Sequence, residues 1–263
     1  MPMIDASRKR FIEAKAWECR PRARFGLENP FCLARDQKCY LFRYPIGEDK
    51  TLGFMQKRRE GAVIFTNSSA ILCREIFTFA HELGHLVLHG EAEGALFKDD
   101  QMYIGQQTEK EADYFASCLL VPETPLRHYL VEACKAPVHE DIDPLAVAQI
   151  MNEFKISSQT ALIALREYRL IDGRQEEHLR QELEGKVRKY LQAAQGDDTL
   201  LKPQEVIRYP DEFLRIINDN YQKNKIPKSM AEKFCAFTMT EFATIFTHNP
   251  LDDEETARKV GLV

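Results

Sequence analysis

The sequence predicts an α+β fold in which a small, mostly antiparallel sheet packs against one long helix and is followed by helices only. Three short runs of strand-forming residues, 39–44, 51–56 and 62–66, are separated by turn-forming stretches. They lead directly into one amphipathic helical pattern that ends near Gly90. From Thr108 onward, the periodic stretches have helical spacing. These observations favour a sheet built early in the chain and a helical remainder.

The composition is typical of a soluble globular protein. Of the 263 residues, 44% are hydrophobic and 29% are charged, which is enough apolar material for one large domain or two small ones. No apolar run approaches the length of a membrane span, and the first 17 residues are too charged for a secretory signal. Seven cysteines without a CxxC motif favour a reducing compartment. We therefore expect a cytoplasmic protein that does not bind membranes.

The net charge of −5 is distributed unevenly along the chain. Residues 1–60 contain 14 Lys and Arg but only 8 Asp and Glu, so the excess of six positive charges leaves −11 for the remainder. A basic segment of this kind could bind an acidic partner or nucleic acid. A solvated basic face is the simpler interpretation, and we favour it.

The central motif is the HExxH pattern His81-Glu82-Leu83-Gly84-His85. On a helix, His81 and His85 lie one turn apart on one face, where two imidazoles can bind one divalent ion. Glu82, on the flank of that face, can hold and deprotonate a water activated by the metal. Gly84 costs about 1 kcal/mol relative to Ala inside a helix. Its presence predicts the close approach of another segment.

The ends of this helix are also indicated by the sequence. Ser68 or Ser69 is the expected N-cap, and Gly90 is the expected C-terminal stop. Residues 90–107 have little periodicity and should form a loop beside the site. The next predicted helix covers 108–120.

The spacing leaves the third metal ligand open. His89 continues the histidine face but lies about 6 Å farther along the helix axis, so we expect it to support the site rather than bind the metal. Glu109, Glu111 and Asp113 on the following helix are the carboxylate candidates. Thr108-x-x-Glu111 also matches a capping box, so Glu111 could merely close the end of a helix. Spacing alone does not separate these alternatives.

Residues 143–171 are predicted to form two helices, Leu145–Phe154 and Ser158–Leu170, with the rhythm of a helix-turn-helix. The second helix has no Lys or Arg before Arg166, whereas a DNA-reading helix presents cations near its start. Direct nucleic-acid binding is therefore not expected.

Helical patterns account for most of the remaining chain. A basic helix is predicted at 4–17, and an amphipathic helix at 175–194. The stretch 195–198 is the best candidate for a linker, and three short helices follow it at 210–220, 228–236 and 239–246. We place a first domain at 1–172 and a C-terminal helical extension at 173–263.

Three segments of the chain resemble the ImmA/IrrE family of metallopeptidases. They are IFTN (Ile64–Asn67), FTFAHELGH (Phe77–His85) and EADYFASCLLVP (Glu111–Pro122). The family has an apolar strand ending in Asn, an FTxAHExGH helix and an E-A-N-x-F-A-x-x-L-L-M-P helix. This sequence departs from it in Asp113 for Asn and Val121 for Met. The similarity extends over roughly residues 1–172.

The resemblance implies a gluzincin-like zinc site with His81, His85 and Glu111 as ligands and Glu82 as general base. The same ligand types also bind Mn²⁺ or Fe²⁺. The resemblance further implies an endopeptidase encoded by a bacterium or a mobile element. Such an enzyme cleaves a DNA-binding repressor of the helix-turn-helix class and so relieves repression. The alternative is a regulatory or toxin-like interaction module that keeps the metal site but cleaves little. The intact Glu82 favours the enzyme.

A peptidase also needs a donor for the developing oxyanion. The sequence offers several groups that could donate this hydrogen bond or support the metal ligands, and it does not choose among them. They are His89, Tyr103, Asp113, Tyr114 and His128.

Overall fold

The computed structural model describes residues 4–47, 50–59, 61–90, 96–98, 106–136, 142–196 and 198–245. It divides the chain into two compact units, residues 1–208 and residues 209–263. The first unit contains a four-stranded sheet and most of the helices, which confirms the predicted α+β class.

The sheet has the strand order β1-β3-β2-β4. Its strands are β1 (Cys39–Tyr44), β2 (Gly53–Arg58), β3 (Gly61–Asn67) and β4 (Leu96–Lys98). β1 pairs in parallel with β3, whereas β2 pairs antiparallel with both β3 and β4. The mostly antiparallel sheet is therefore confirmed. The prediction of an unbroken loop at 90–107 is wrong, because β4 is a three-residue strand too short to show a periodic pattern.

Nine α-helices of the first unit lie within the described residues. They are α1 (Ala6–Cys19), α2 (Leu33–Asp36), α3 (Leu72–His89), α4 (Gln106–Leu120), α5 (Glu123–Glu132), α6 (Pro144–Phe154), α7 (Ser158–Glu167), α8 (Gly173–Leu183) and α9 (Val187–Ala193). α3 carries the HExxH motif and packs against β2 and β3 as well as against α4 and α1. The motif therefore lies at the centre of this unit.

α3 begins later than its predicted caps suggested. Ser69 instead donates its backbone N–H to the side-chain oxygen of Asn67 over 3.0 Å, which holds a turn before the helix. The first helical N–H, that of Leu72, donates to the carbonyl oxygen of Lys202 over 3.0 Å. A distant segment thus satisfies the helix start that a local cap was expected to satisfy. The predicted stop at Gly90 is confirmed.

Gly84 allows α3 and α4 to lie unusually close together. A Cβ atom at this position would lie 3.2 Å from Cα of Ala112 and 3.0 Å from the ring of Phe115. The predicted close approach of another segment is confirmed, and that segment is α4.

The helix-turn-helix-like pair forms as α6 and α7. The left-handed Lys155 (φ 59°) ends the first helix, and the Ser157 hydroxyl caps the second by accepting the N–H of Thr160 over 3.1 Å. The apolar side chains of both helices, such as Ile150 and Leu165, are buried in the core of the first unit. The pair is therefore part of this core.

The structure places the division between units at residue 208 and not at residue 172. The predicted helix 175–194 is two helices, because the left-handed Gly185 (φ 66°) separates α8 from α9. Leu179, Leu183 and Leu191 of these helices are buried in the same core as α3 and α4. The residues after 172 thus complete the first unit.

The described part of the second unit contains three helices around a small core of its own. These are α10 (Phe213–Gln222), α11 (Lys228–Thr238) and α12 (Phe242–Ile245). Ile217, Tyr221, Ala231 and Cys235 are buried between them. The three predicted C-terminal helices are present, with ends shifted by a few residues. Within the described part of the chain, no helix combines the length and apolar character needed to cross a membrane.

Candidate metal centre

The two histidines of the HExxH motif converge on one point. Helical spacing places His81 and His85 on one face of α3, and their Nε2 atoms are 3.0 Å apart. Both residues are buried, with relative exposures of 8% and 2%. Two ring nitrogens this close share one site.

The carboxylate of Glu109 on α4 completes this site. Its Oε2 lies 3.3 Å from Nε2 of His81, and its Oε1 lies 3.3 Å from Nε2 of His85. Each oxygen of this carboxylate thus faces one of the two imidazoles, and ligands about 2.0 Å from one zinc ion are separated by about 3.3 Å. His81, His85 and Glu109 form a group of ligand atoms within 4.8 Å of one another. The donor set therefore fits a divalent metal.

Asp113 orients one of the two imidazoles. Its Oδ1 lies 2.9 Å from Nδ1 of His81, on the far side of the ring from Nε2. A carboxylate that accepts Nδ1–H fixes the tautomer in which Nε2 presents a lone pair to a metal. Asp113 follows Glu109 by one helical turn, so a single face of α4 supplies both carboxylates.

The charges of the cluster are coupled. Burial alone lowers the pKa of His81, but hydrogen bonds to Asp113 and Glu109 outweigh it and raise this pKa to about 10. Hydrogen bonds from His81 and His85 lower the pKa of Glu109 to about 2. The carboxylates around His81 thus favour positive charge at this point, and a divalent cation would supply that charge in place of a proton.

Glu111 occupies a different position. Its Oε2 accepts hydrogen bonds from Nη2 and Nε of Arg8 over 2.6 and 3.0 Å, and it lies 3.8 Å from Nε2 of His89. The resemblance implies Glu111 as the third ligand, whereas in this structure the carboxylate that faces the two imidazoles is that of Glu109. Thr108 and Glu111 do not form a capping box, because Thr108 lies inside α4, which begins at Gln106.

Glu82 is a residue of α3, and its side chain packs against the start of β2. It is 1% exposed, and a Cβ atom on Gly53 would lie 3.5 Å from its Cγ. The same Cβ atom would lie 2.5 Å from Cγ2 of Thr78, so only glycine lets β2 approach this part of α3. Glu82 is thus buried next in sequence to a candidate metal ligand.

The family model of peptidase M78, described as the IrrE N-terminal-like domain, matches residues 34–166. The chain belongs to this peptidase family. It is also 31% identical over 106 residues to the "Uncharacterized immunity region protein 2" of Bacillus phage phi105. That match covers 40% of this chain and 66% of the phage protein, slightly less than two thirds of its length. The resemblance to the ImmA/IrrE family is confirmed.

The match to the M78 family covers the sheet, the HExxH helix, α4 and the helix-turn-helix-like pair. It does not include α1 or the chain after residue 166. The remaining candidate residues therefore have to be judged from their surroundings in this structure.

Tyr114 and His128 have no described contact with the three candidate metal ligands. The Tyr114 hydroxyl donates to Oε1 of Glu13 on α1 over 2.5 Å, and burial is the main reason that its pKa is raised. His128 is exposed on α5. Tyr103 lies outside the described residues.

His89 lies close to the centre, with its ring centroid 5.7 Å from that of His85. Burial lowers the pKa of His89, with a smaller contribution from the neighbouring His85. Among the predicted oxyanion donors in the described part of the chain, it is therefore the one whose ring contacts a candidate ligand.

Arg8 is a residue near the centre that the sequence did not single out. It reaches from α1 to Glu111, and Lys9 on the same helix pairs with Glu167. The sequence feature that could have pointed to Arg8 is the excess of positive charge in residues 1–60. Some of the cations in the basic segment, which we expected to be a solvated face, therefore pair with carboxylates of the acidic remainder of the chain.

Proposed function

We propose that the chain is a metal-dependent endopeptidase with His81, His85 and Glu109 as metal ligands. The observation that carries this proposal is the convergence of the two Nε2 atoms and the Glu109 carboxylate on one point, with the buried Glu82 next in sequence to His81. Two imidazoles, one carboxylate and a fourth position left for water suit Zn²⁺, and Mn²⁺ or Fe²⁺ can use the same ligands.

When bound, such an ion supplies Lewis acidity that activates water near neutral pH. Glu82 orients the attacking water, takes its proton and delivers that proton to the leaving amine. Asp113 keeps the His81 ring in place by accepting the Nδ1 proton. His89 is the proposed donor to the developing oxyanion.

We further propose that the substrate is a DNA-binding repressor of the helix-turn-helix class and that cleavage relieves repression. The resemblance to the ImmA/IrrE family supports this substrate class, and the phage relative is named for an immunity region. All seven cysteines are free thiols, which suits a cytoplasmic site of action.

The test is cleavage of a repressor encoded beside this chain by the zinc-loaded protein and by its Glu82→Gln variant. Glutamine preserves the shape and hydrogen bonding of the side chain but cannot accept the proton. We therefore expect a folded, metal-loaded variant whose turnover falls by about 10²–10⁴-fold. Glu184→Gln, which changes an exposed carboxylate after α8, is the matched control and should leave the rate unchanged.

Electrophoresis and mass spectrometry of the repressor give the rate and the position of cleavage. A Glu82→Gln protein that cleaved the repressor as fast as the Glu184→Gln control would refute the assignment of the base. A wild-type protein that bound the repressor tightly and left it intact would support the interaction module instead.

A further inference from the structure

A basic cleft of about 680 Å³ lies in the first unit, at the end of α3 that follows the metal centre. Its walls are α1, the residues before β1, the turn between β2 and β3, and the last turn of α3. Five cations line it. They are Lys15, Lys38, Lys57, Arg58 and Arg59. Among the described lining residues the only acid is Glu18, which lies 2.7 Å from the Lys15 ammonium.

The cleft is connected to the metal centre by two elements. Leu86, Val87 and Leu88 of α3 line it directly after His85. β2 begins at Gly53 beside Glu82 and reaches the cleft at Lys57, a rise of about 13 Å along the strand. An extended peptide covers this distance with about four residues.

α1 provides a third connection. The Arg8 guanidinium, which binds Glu111, lies 4.9 Å from the ring centroid of Phe11, and the Lys15 ammonium lies 5.9 Å from the same ring. The Phe11 ring is 44% exposed and lines the cleft. One face of α1 therefore carries cations and an exposed aromatic ring from the edge of the metal centre into the cleft.

We propose that this cleft binds an acidic segment of the protein substrate, about four residues from the bond that is cut. This inference rests on the proposed peptidase function. Carboxylates suit the concentrated positive charge, and the exposed Phe11 ring offers apolar contact to a side chain of the same segment. A nucleic acid fits less well, because it would extend its phosphates beyond the cleft onto a protein of net charge −5.

The binding test uses a fluorescein-labelled hexaglutamate peptide and the zinc-loaded Glu82→Gln protein, so that its outcome does not depend on cleavage. Lys57→Gln/Arg58→Gln removes two cations of the cleft. Arg174→Gln/Lys189→Gln removes two exposed cations from α8 and α9 and is the matched control. By anisotropy at low ionic strength, we expect about tenfold weaker binding for the cleft variant and less than about twofold for the control.

Three results would overturn the proposal. They are hexaglutamate binding no tighter than binding of a hexaserine peptide, equal losses in the two double variants, and tighter binding of a hexathymidylate oligonucleotide than of hexaglutamate. The last result would identify the cleft as a nucleic-acid site.

A cleavage measurement separates this proposal from the proposed function. If the wild-type protein cuts its substrate, the cleft variant should show about tenfold lower kcat/KM through a higher KM, with kcat close to the wild-type value. Unchanged kcat/KM would overturn the acidic docking site and leave the peptidase intact. If the wild-type protein cleaves no substrate but binds hexaglutamate selectively, the peptidase function is refuted and the acidic-peptide site stands.

Discussion

At the scale of single residues, the choice among three carboxylates on α4 decides the chemistry of the site. Residues on a helix turn by about 100° each, so Glu109 lies about 20° from Ala116, and Asp113 lies on the same side. Glu111 lies about 160° from Glu109. The apolar arc of α4 faces α3, as the contact of Ala112 with Gly84 shows. Glu109 and Asp113 therefore lie on the side of α4 that reaches the histidines, whereas Glu111 lies on the side that reaches Arg8 of α1.

This choice was partly accessible from the sequence. The positions of Ala112 and Ala116 favour Glu109 by angle alone, whereas motif similarity favours Glu111. His81, Glu82 and His85 follow from local spacing, because all three lie within one helical turn. Arg8 could not be found in this way, since its contact with Glu111 joins residues far apart in sequence.

At the scale of helices and strands, the close packing of α3 on α4 fixes the geometry of the centre. Helix periodicity and capping residues in the sequence predicted both helices and the role of Gly84. The same kind of prediction was wrong about the start of α3 and about 175–194, which forms α8 and α9 instead of one helix. The first error arose because Lys202 satisfies the N–H of Leu72 from a distant part of the chain. The second arose because Gly185 interrupts a continuous amphipathic pattern.

The helix contact predicts the effect of enlarging Gly84. Gly84→Val adds three carbons where a single Cβ would already lie 3.2 Å from the backbone of Ala112. Because Val has a better helix propensity than Gly, a loss of stability must come from crowding. We expect the free energy of unfolding to fall by about 1–3 kcal/mol in urea denaturation.

Gly173→Val at the start of α8 is the matched control. A Cβ atom there would meet only the flexible guanidinium of Arg166, at 3.4 Å or more. Its effect should stay within about 0.5 kcal/mol. Equal effects of the two substitutions would contradict the close contact between α3 and α4.

At the scale of the whole molecule, the structure places the unit boundary at residue 208. The stretch 195–198 has the composition of a linker, but Gly196 packs against Asn152 of α6. A Cβ atom on this glycine would lie 3.1 Å from the Asn152 side chain. Composition alone does not distinguish a packed turn from a linker, so the structure places this stretch inside the first unit.

Truncation of the chain tests the new boundary. A chain ending at residue 208 should keep the stability of the first unit, because the second unit has its own core. A chain ending at residue 172 loses Leu179, Leu183 and Leu191 from the core of the first unit. Each such loss costs about 2–5 kcal/mol against a total stability of about 5–15 kcal/mol.

We therefore expect cooperative thermal unfolding for residues 1–208 and no cooperative transition for residues 1–172, as followed by circular dichroism. Equal midpoints for these two truncated chains would restore the boundary at residue 172.

The central claim is that His81, His85 and Glu109 bind one divalent metal ion. The most direct measurement is the zinc affinity of the Glu109→Gln and Glu111→Gln variants, obtained by chelator competition and compared with the wild type. The geometry predicts that Glu109→Gln weakens zinc binding by more than about 100-fold, whereas Glu111→Gln, whose carboxylate binds Arg8, stays within about tenfold of the wild type. A Glu111→Gln protein that loses its zinc while Glu109→Gln keeps it would contradict this account and establish Glu111 as the third ligand.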